Sequence, residues 1–438
     1  MRRQSSCITT MSYCLRNPLS TAERRRPTLV CLVTFCLFAA AAEAQDDSDQ
    51  HGMPNMPGMS HETPAAGWLW LTDATAYFGF NDQERKFTDF SAWESQNWVM
   101  LDGAHRLGHG TFRFHDMHTL EPFTMHALGS PQVFQTGETF RNAPLIDYQH
   151  PHDLFMSLGA DYTTSTRRFT YQIGADIVGS PTLGPPPFMH RLSAYGNPQA
   201  PLSHHYLDST HITPGVLRGI VGLRDWSVGA SWFRGEEPDE KRKDLDLGRL
   251  DSYALQVAWM HGGWSAQASG ARLHRPEVIT PYDADKLTGS IGYTNDARRL
   301  NAWMFAFGQK REIHGNFEAY MFEATIRASR TSFVYTRAES VDKDILDSGY
   351  HPRGTFHRHR HSQVGALTLG YLYEFLRTDA GNLGLGADVT TYAVPENLQD
   401  NYGSPSSYHV FLHYALHGPG SIRTSASRQT ASPAAPSR

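Results

Sequence analysis

Methionine and histidine alternate with proline and glycine in residues 51–62, which read HGMPNMPGMSHE. Thioethers are soft ligands that select Cu(I) or Ag(I), whereas imidazoles also bind Cu(II) and Zn(II). Proline and glycine favour an open chain that can wrap around one ion, and ordinary linkers are instead rich in Glu, Ser and Lys. The stretch therefore predicts a metal-capturing tail. The ligands predicted in this tail are His51, Met53, Met56, Met59 and His61.

A second set of histidines recurs later in the chain, where long loops would enter strands. In extended backbone, His-x-His spacing puts both imidazoles on one side, about 7 Å apart, within chelating reach. The alternative is that these residues only hold the loops together through hydrogen bonds. The metal ligands predicted in this set are His150, His152, Asp153, His204, His205, His211, His357, His359 and His361.

The amino-terminal sequence places this chemistry outside the cytoplasm. Three arginines at 24–26 precede an apolar stretch from Leu29 to Ala42, and a small-x-small site ends at Ala44. This order is typical of a secretory signal peptide, predicted over residues 1–44. All four cysteines lie within it, so the mature chain is predicted to be exported without disulfides.

The charge of the mature chain limits its partners. Removal of residues 1–44 would take away six Lys/Arg and two Asp/Glu, leaving 33 basic against 42 acidic residues. A net charge near −9 argues against nucleic acid as a partner. The partners expected instead are outer-membrane lipid, metal ions and periplasmic metal-handling proteins.

Short segments with alternating apolar and polar residues dominate the rest of the chain. In residues 169–177 the odd positions are Phe, Tyr, Ile, Ala and Ile, and the even positions are Thr, Gln, Gly and Asp. Residues 383–393 repeat the pattern. Successive side chains of a strand point to opposite faces, so each segment has one apolar face. A water-soluble sandwich shows the same alternation.

Connection lengths separate these two architectures. From the second strand on, every second connection between predicted strands is very short, as at 107–108, 224–225 and 261–262. The connections between these turns are longer, notably 120–151, 179–211 and 342–361. Short turns on one rim, long loops on the other and an even strand number are typical of outer-membrane barrels. About sixteen strands are predicted, within a range of about 14 to 18: 67–81, 94–106, 109–119, 152–164, 168–178, 212–223, 226–235, 250–260, 263–273, 286–294, 299–309, 316–328, 331–341, 362–377, 381–393 and 406–417.

The fold class predicted is therefore all-β, a transmembrane antiparallel β-barrel of the outer membrane, with short periplasmic turns and long extracellular loops. The chain divides into a signal peptide (1–44), a periplasmic Met/His-rich flexible tail (45–66), the barrel (67–418) and a polar carboxy-terminal tail (419–438). An aromatic girdle is expected near the strand ends, formed by Trp68, Trp70, Trp98, Trp226, Trp259, Trp264, Tyr293 and Tyr414. Polar residues that should face the lumen include Asp161, Asp176, Asp388, His409 and His413.

Three stretches of the barrel resemble a group of poorly characterised bacterial outer-membrane barrels that are associated with copper and heavy-metal resistance. These stretches are 143–155 (APLIDYQHPHDLF), 188–191 (FMHR) and 203–212 (SHHYLDSTHI). The Met/His-rich tail is also similar to that of copper-resistance outer-membrane proteins. The resemblance implies a barrel with a role in metal tolerance and assigns no functional residue.

Three function classes follow from these observations. The first is a barrel that binds metal ions or passes them across the outer membrane in heavy-metal tolerance, with copper as the expected ion. The second is a general porin-like solute channel with structural histidines. The third is an outer-membrane hydrolase or acyltransferase, for which Ser203-His204 and His152-Asp153 are available, although no motif marks a nucleophile. The first class, without enzymatic activity, is the one the sequence favours.

Overall fold

A closed antiparallel barrel of sixteen strands forms the body of the protein. The computed structural model describes residues 67–141, 143–277, 282–295, 300–313, 315–346, 361–378 and 380–416. The first and last strands pair over Thr75↔Ala415 to Glu84↔Ser406, which closes the sheet. Closure gives every strand a hydrogen-bonded neighbour on both edges, which a membrane requires because lipid offers no partner for free backbone groups. The predicted fold class is confirmed, and the predicted tail and signal peptide lie outside the described residues.

All sixteen predicted strands are present. The second, predicted over 94–106, is β3 (Asn97–Leu107). The sequence did not predict β2 (Thr88–Glu94), which precedes β3 across an interruption at residues 95–96; both pair with β1 (Trp68–Arg85) and count as one strand of the barrel. The barrel strands are β1 (Trp68–Arg85), β2 (Thr88–Glu94), β3 (Asn97–Leu107), β4 (Gly110–His118), β7 (Phe155–Ser165), β8 (Phe169–Gly179), β9 (Thr213–Leu223), β10 (Trp226–Phe233), β11 (Ser252–His261), β12 (Trp264–Leu273), β13 (Ala284–Thr294), β14 (Asn301–Glu312), β15 (Gly315–Arg327), β16 (Ser332–Lys343), β17 (Ser362–Thr378), β18 (Gly381–Ala393) and β19 (Ser406–Ala415).

The outer surface of the barrel is apolar, as a bilayer requires. In β8 the exposed large apolar side chains are Phe169, Tyr171, Ile173 and Ile177, and in β11 they include Leu255 and Val257. Alternate residues of the same strands face inward and are polar or small. Apolar-out and polar-in alternation is the signature of an outer-membrane barrel. Among the residues that the structure describes, no helix is long and apolar enough to cross a membrane.

The inner wall carries the predicted polar residues. Asp161 and Asp176 are buried against Arg218 of β9, and Asp388 bonds to His409. His413 is also buried, under Tyr195. The predicted aromatic girdle needs a correction at Trp98 and Tyr414, which are both buried, whereas members such as Trp68 and Trp226 are exposed. Trp98 is covered by an inward-folded loop, because its ring contacts His190.

Two long loops fold into the lumen from the long-loop end of the barrel. The first, residues 119–154, is called the hairpin loop because it contains a two-stranded sheet that the sequence did not reveal: β5 (Ser130–Phe140) and β6 (Ala143–Gln149). Its Ser130 and Pro131 accept hydrogen bonds from Asn81 on the inner wall. Phe134 packs against Tyr392 and Tyr402.

The second loop, residues 180–212, is called the plug loop and reaches the opposite wall. Arg191 forms an ion pair with Glu323 of β15, and the carbonyl of Gln199 accepts a hydrogen bond from Arg337 of β16. Backbone N–H groups of Leu202 and Ser203 donate to Glu339. Short helical turns satisfy backbone hydrogen-bonding groups where the loop bends. They are α-helical at His204–Leu207 and 3₁₀-helical at Phe188–His190, Leu192–Ala194 and Ser209–His211, while other loops contain Glu121–Thr124, Glu396–Leu398 and Gln399–Tyr402.

Candidate metal centre

Five of the predicted histidines meet where the hairpin loop and the plug loop touch inside the barrel. They form a closed ring of neighbouring imidazoles, called here the imidazole cluster. The ring centroids are separated by 6.3 Å (His150–His152), 5.3 Å (His152–His211), 5.3 Å (His211–His204), 5.4 Å (His204–His205) and 6.2 Å (His205–His150). The sequence predicted each pair separately, and the fold combines them into one site.

Local structure positions each imidazole. His150 and His152 directly follow β6, where the hairpin turns back toward the barrel wall. His204 and His205 begin the short helix of the plug loop, and His211 ends the 3₁₀ turn that precedes β9. Neighbouring residues at the start of a helix project about 100° apart, so His204 and His205 contribute to different sides of the ring.

The Nδ1 atoms of three imidazoles are held by oxygen atoms. His152 Nδ1 lies 2.8 Å from Glu121 Oε2, His204 Nδ1 lies 2.8 Å from Asp208 Oδ1, and His211 Nδ1 lies 2.7 Å from the Asp208 carbonyl oxygen. An Nδ1–H that donates to oxygen leaves Nε2 unprotonated and raises its basicity, which is the usual arrangement of a metal-binding histidine. The Nε2 atoms of His152 and His211 are buried and have no hydrogen-bond partner among the described residues.

A compact ligand set lies on one side of the cluster. Ligand atoms of Glu138, His150 and His205 all lie within 4.8 Å of one another. Glu138 Oε1 is 3.0 Å from His150 Nε2, while His150 Nδ1 is 2.9 Å from the carbonyl oxygen of Pro151. Two donors bound to one metal at about 2.1 Å and a right angle lie about 3 Å apart. The three side chains therefore have the spacing of a two-histidine, one-carboxylate metal site.

Burial keeps most of the cluster in the neutral form that binds metal. Burial lowers the pKa of His204 to about 4, and the nearby Asp208 carboxylate opposes this shift without cancelling it. The pKa of His211 is lowered by burial and by the neighbouring His204 and His152. Burial also lowers the pKa of His150. His152 differs, because burial is outweighed by the Glu121 carboxylate, which raises its pKa.

Arg242 closes the cluster on its outer side. It reaches from the loop after β10 to Glu138 and Asp153, at 3.3 Å from each carboxylate. Burial favours a protonated Glu138, but His150 and Arg242 outweigh it and lower the pKa of this carboxylate. Burial raises the pKa of Asp153 to about 7. The predicted ligand Asp153 is thus paired with Arg242 at the edge of the cluster.

The remaining predicted ligands are separate from this centre. His51, Met53, Met56, Met59, His61, His357 and His359 lie outside the described residues. His361 is described, and its ring stacks on Phe317 with 4.4 Å between centroids. It contacts no member of the imidazole cluster in this structure, so its role as a ligand stays a prediction.

Sequence reasoning missed two carboxylates. Glu138 lies in the unremarkable sequence QTGET, twelve residues before His150, and Glu121 follows Leu120 in a short helix. Neither forms a motif with a histidine. The signal that could have found Glu138 was the β5–β6 hairpin, since its pairing of Ser130 with Gln149 brings the two segments side by side.

The serine, histidines and aspartate that could take part in nucleophilic catalysis each pair with a separate partner. Ser203 Oγ donates to Glu339 Oε1 at 2.7 Å, and His204 Nδ1 faces Asp208. His152 is held by Glu121, and Asp153 by Arg242. These neighbours in sequence therefore do not form the nucleophile–base–carboxylate chain that hydrolase chemistry needs.

Two cavities adjoin the cluster. A cavity of about 20 Å³ is bordered by His150, His152, His204 and His211, which is room for one water molecule or ion. A larger cavity of about 490 Å³, called here the vestibule, lies under the plug loop at the short-turn end. It extends from the turn at Gly262 and Gly263 to His211. His211 therefore borders both cavities.

Comparison with known proteins finds solved structures of similar shape at low sequence identity. No family model matches the chain, and no curated protein matches it. Solved structures with a similar shape include an anion-selective porin from Comamonas acidovorans, at 13% identity and a TM-score of 0.49, covering 80% of this chain and 100% of the porin. Another is Salmonella typhi OmpF in complex with daunomycin, at 10% identity and a TM-score of 0.47, covering 79% and 97%. A third is OmpT of Vibrio cholerae, at 9% identity and a TM-score of 0.44, covering 79% and 98%.

Proposed function

We propose that this outer-membrane barrel binds transition-metal ions at the imidazole cluster and passes them through its lumen in metal tolerance, with copper as the main ion. The observation that carries the proposal is the convergence of Glu138, His150 and His205 beside buried imidazole nitrogens that have no hydrogen-bond partner among the described residues. A buried polar atom without a hydrogen bond costs about 1–3 kcal/mol, so a cluster of them is expected to hold a ligand.

The donor set indicates the class of metal. Imidazole suits Cu, Zn, Fe and Ni, and one carboxylate among several imidazoles favours a divalent ion. The predicted Met/His tail would add soft ligands for Cu(I) at the periplasmic face. If the short turns face the periplasm, the vestibule opens toward the same side as the tail.

Metal stoichiometry tests the proposal. Purified, detergent-solubilised protein should bind Cu(II) or Zn(II) with one more equivalent than its double variant His150→Ala/His205→Ala, as measured by calorimetry. The tail contributes equally to both proteins, so the difference reports the cluster. The matched control is His261→Ala/His274→Ala, which removes two exposed histidines that pair with Asp225 and Asp283. Equal binding by the wild type and the His150/His205 variant would refute the proposal.

A general solute channel is the second candidate, and the vestibule favours it. A cavity of about 490 Å³ could admit small solutes from the short-turn end. The two functions differ in planar bilayers: a general channel should conduct ions whether or not Cu(II) is present. A barrel dedicated to metal should show low conductance, because the two loops occupy the lumen.

A further inference from the structure

Three methionines from neighbouring strands line one small space inside the barrel. Met100 of β3 and Met117 of β4 are directly opposite in the strand register. Met156 follows on β7, where a register irregularity beside Met117 leaves it without a partner in the ladder. Irregularities of this kind re-aim a side chain and are frequent at functional sites. Met117 and Met156 belong to one buried hydrophobic cluster, and the partly buried Met100 and Met189 (the latter from the plug loop) pack against it.

These three side chains line a cavity of about 50 Å³, called here the thioether pocket. Its wall is not purely apolar. The three methionines share it with three imidazoles, those of His115, His190 and His211. The same methionines also pack with the apolar side chains of Trp98, Val178 and Ile212, so they lie where an apolar cluster meets polar side chains. A cavity of this size can hold a water molecule or a metal ion.

The thioether pocket shares lining residues with both the vestibule and the imidazole cluster. Ser180, Pro186, Pro187 and His211 line both the thioether pocket and the vestibule. His211 also borders the small cavity inside the imidazole cluster, and its buried Nε2 has no hydrogen-bond partner among the residues that the structure describes. One imidazole therefore lines all three cavities.

We propose that Met100, Met117 and Met156, together with His211, form a second metal site that binds a soft monovalent ion, Cu(I) or Ag(I). Thioether ligands select such ions over Zn(II) and other harder dications. The inference deepens the proposed function, because it makes the pocket a station between the vestibule and the imidazole cluster. The two sites differ in ligand type: thioethers select soft monovalent ions, whereas imidazoles also bind copper, so an ion can pass between the sites without a change of oxidation state.

Silver titration tests this site separately from the cluster. The triple variant Met100→Leu/Met117→Leu/Met156→Leu keeps the apolar volume and removes the sulfur atoms. It should bind one Ag(I) fewer than wild type and keep its Zn(II) stoichiometry. The control variant Met125→Leu/Met304→Leu/Met321→Leu replaces three other buried methionines and should bind Ag(I) as wild type does. Unchanged Ag(I) stoichiometry in the first variant would overturn the inference.

The two proposals fail in different ways. Loss of Zn(II) binding in His150→Ala/His205→Ala with unchanged Ag(I) binding in the methionine variant would leave only the imidazole cluster. Loss of Ag(I) alone would leave only the thioether pocket.

A spectroscopic test does not depend on the folding of the triple variant. In Met53→Leu/Met56→Leu/Met59→Leu protein loaded with Cu(I), X-ray absorption should show sulfur ligands. The predicted mature chain has no cysteine, so sulfur must come from methionine inside the barrel. A shell of nitrogen and oxygen alone would overturn the inference.

Discussion

The plug loop contributes to two buried polar assemblies that differ in how their atoms are satisfied. In the first, Glu323 accepts hydrogen bonds from Arg191, Ser193 and Arg337, and Asp208 accepts from Arg191. Of the side-chain atoms in this assembly, Arg337 Nη2 alone has no hydrogen-bond partner among the described residues. In the second, the imidazole cluster, nitrogens of His152, His205 and His211 have no hydrogen-bond partner among the described residues. Both assemblies contain fully buried side chains, so burial alone does not identify a binding site.

The difference indicates which assembly holds the plug loop in place and which can bind a metal ion. An ion pair buried with its hydrogen bonds is costly to break, because the partner that remains is an uncompensated charge. Neutral imidazoles carry no such charge, and a metal can occupy their lone pairs without disturbing the fold. Asp208 connects the two assemblies, since one oxygen faces Arg191 and the other faces His204.

The largest effect is expected from Glu323→Ala. This change leaves the guanidinium groups of Arg191 and Arg337 buried without their shared carboxylate, at a cost of about 3–5 kcal/mol. The plug loop should detach, so hydrogen exchange within residues 188–203 should accelerate and conductance in planar bilayers should rise. The exposed pair of Lys86 and Asp400 supplies the control, because Asp400→Asn should change stability by no more than about 1 kcal/mol. Equal exchange in both variants would show that the network does not hold the loop.

Acid should weaken the docking of the plug loop at the imidazole cluster. His204 has a folded-state pKa of about 4 against an ordinary value of 6.5, so the detached loop binds more protons between these values. Docking of the loop should therefore weaken as the pH falls from 6.5 to 4, by about 3 kcal/mol from His204. The lowered pKa values of His150 and His211 act in the same direction, whereas the raised pKa of His152 acts in the opposite one.

Hydrogen exchange of residues 203–212, corrected for the intrinsic effect of pH, measures the slope of the docking free energy against pH. His204→Gln removes the titrating group and should flatten it. Bound Zn(II) should flatten it as well, because a metal-bound imidazole cannot take up a proton. A slope of the opposite sign would mean that His152 dominates.

A smaller effect is expected from Gly137→Ala, which alters the cluster without removing a ligand. Gly137 has φ of +132°, and an added Cβ would lie 2.5 Å from the His205 ring. Overpacking of this kind costs about 1–3 kcal/mol and should displace the imidazole. Zn(II) affinity should therefore fall in calorimetry, while the Glu323 network stays intact.

Gly108→Ala is the control for backbone strain, because Gly108 also has a positive φ but no atom lies within 4 Å of its added Cβ. It should leave Zn(II) binding unchanged. If Gly137→Ala behaved in the same way, His205 would not be a ligand.

The barrel could be predicted from the sequence, whereas the site could be predicted only in part. Alternation of side chains is a local property, and residues such as Ile173 and Asp176 display it within a single strand. The imidazole cluster requires that two loops, 55 residues apart at His150 and His205, fold into the same lumen. Their docking depends on wall residues distant in sequence, such as Asn81 and Glu323, and no local pattern encodes that pairing.

The smallest change to the molecule is Glu121→Gln, which tests whether His152 belongs to the metal site. Glu121 Oε2 accepts hydrogen bonds from the backbone N–H and the Nδ1 atom of His152. Glutamine keeps the shape and one acceptor but removes the charge that makes the imidazole more basic. Loss of such a supporting carboxylate usually lowers metal affinity about 10- to 100-fold, which is about 1.4–2.7 kcal/mol.

Calorimetric titration with Zn(II) measures the change, and Glu318→Gln serves as the control because Glu318 pairs with Gln309 and Tyr320 far from the cluster. A 10- to 100-fold loss in Glu121→Gln alone would place His152 among the ligands and extend the site around the ring. Unchanged affinity would confine the metal to Glu138, His150 and His205. In that case the unpartnered Nε2 atoms of His152 and His211 would belong to the route by which the ion arrives, since His211 borders the vestibule.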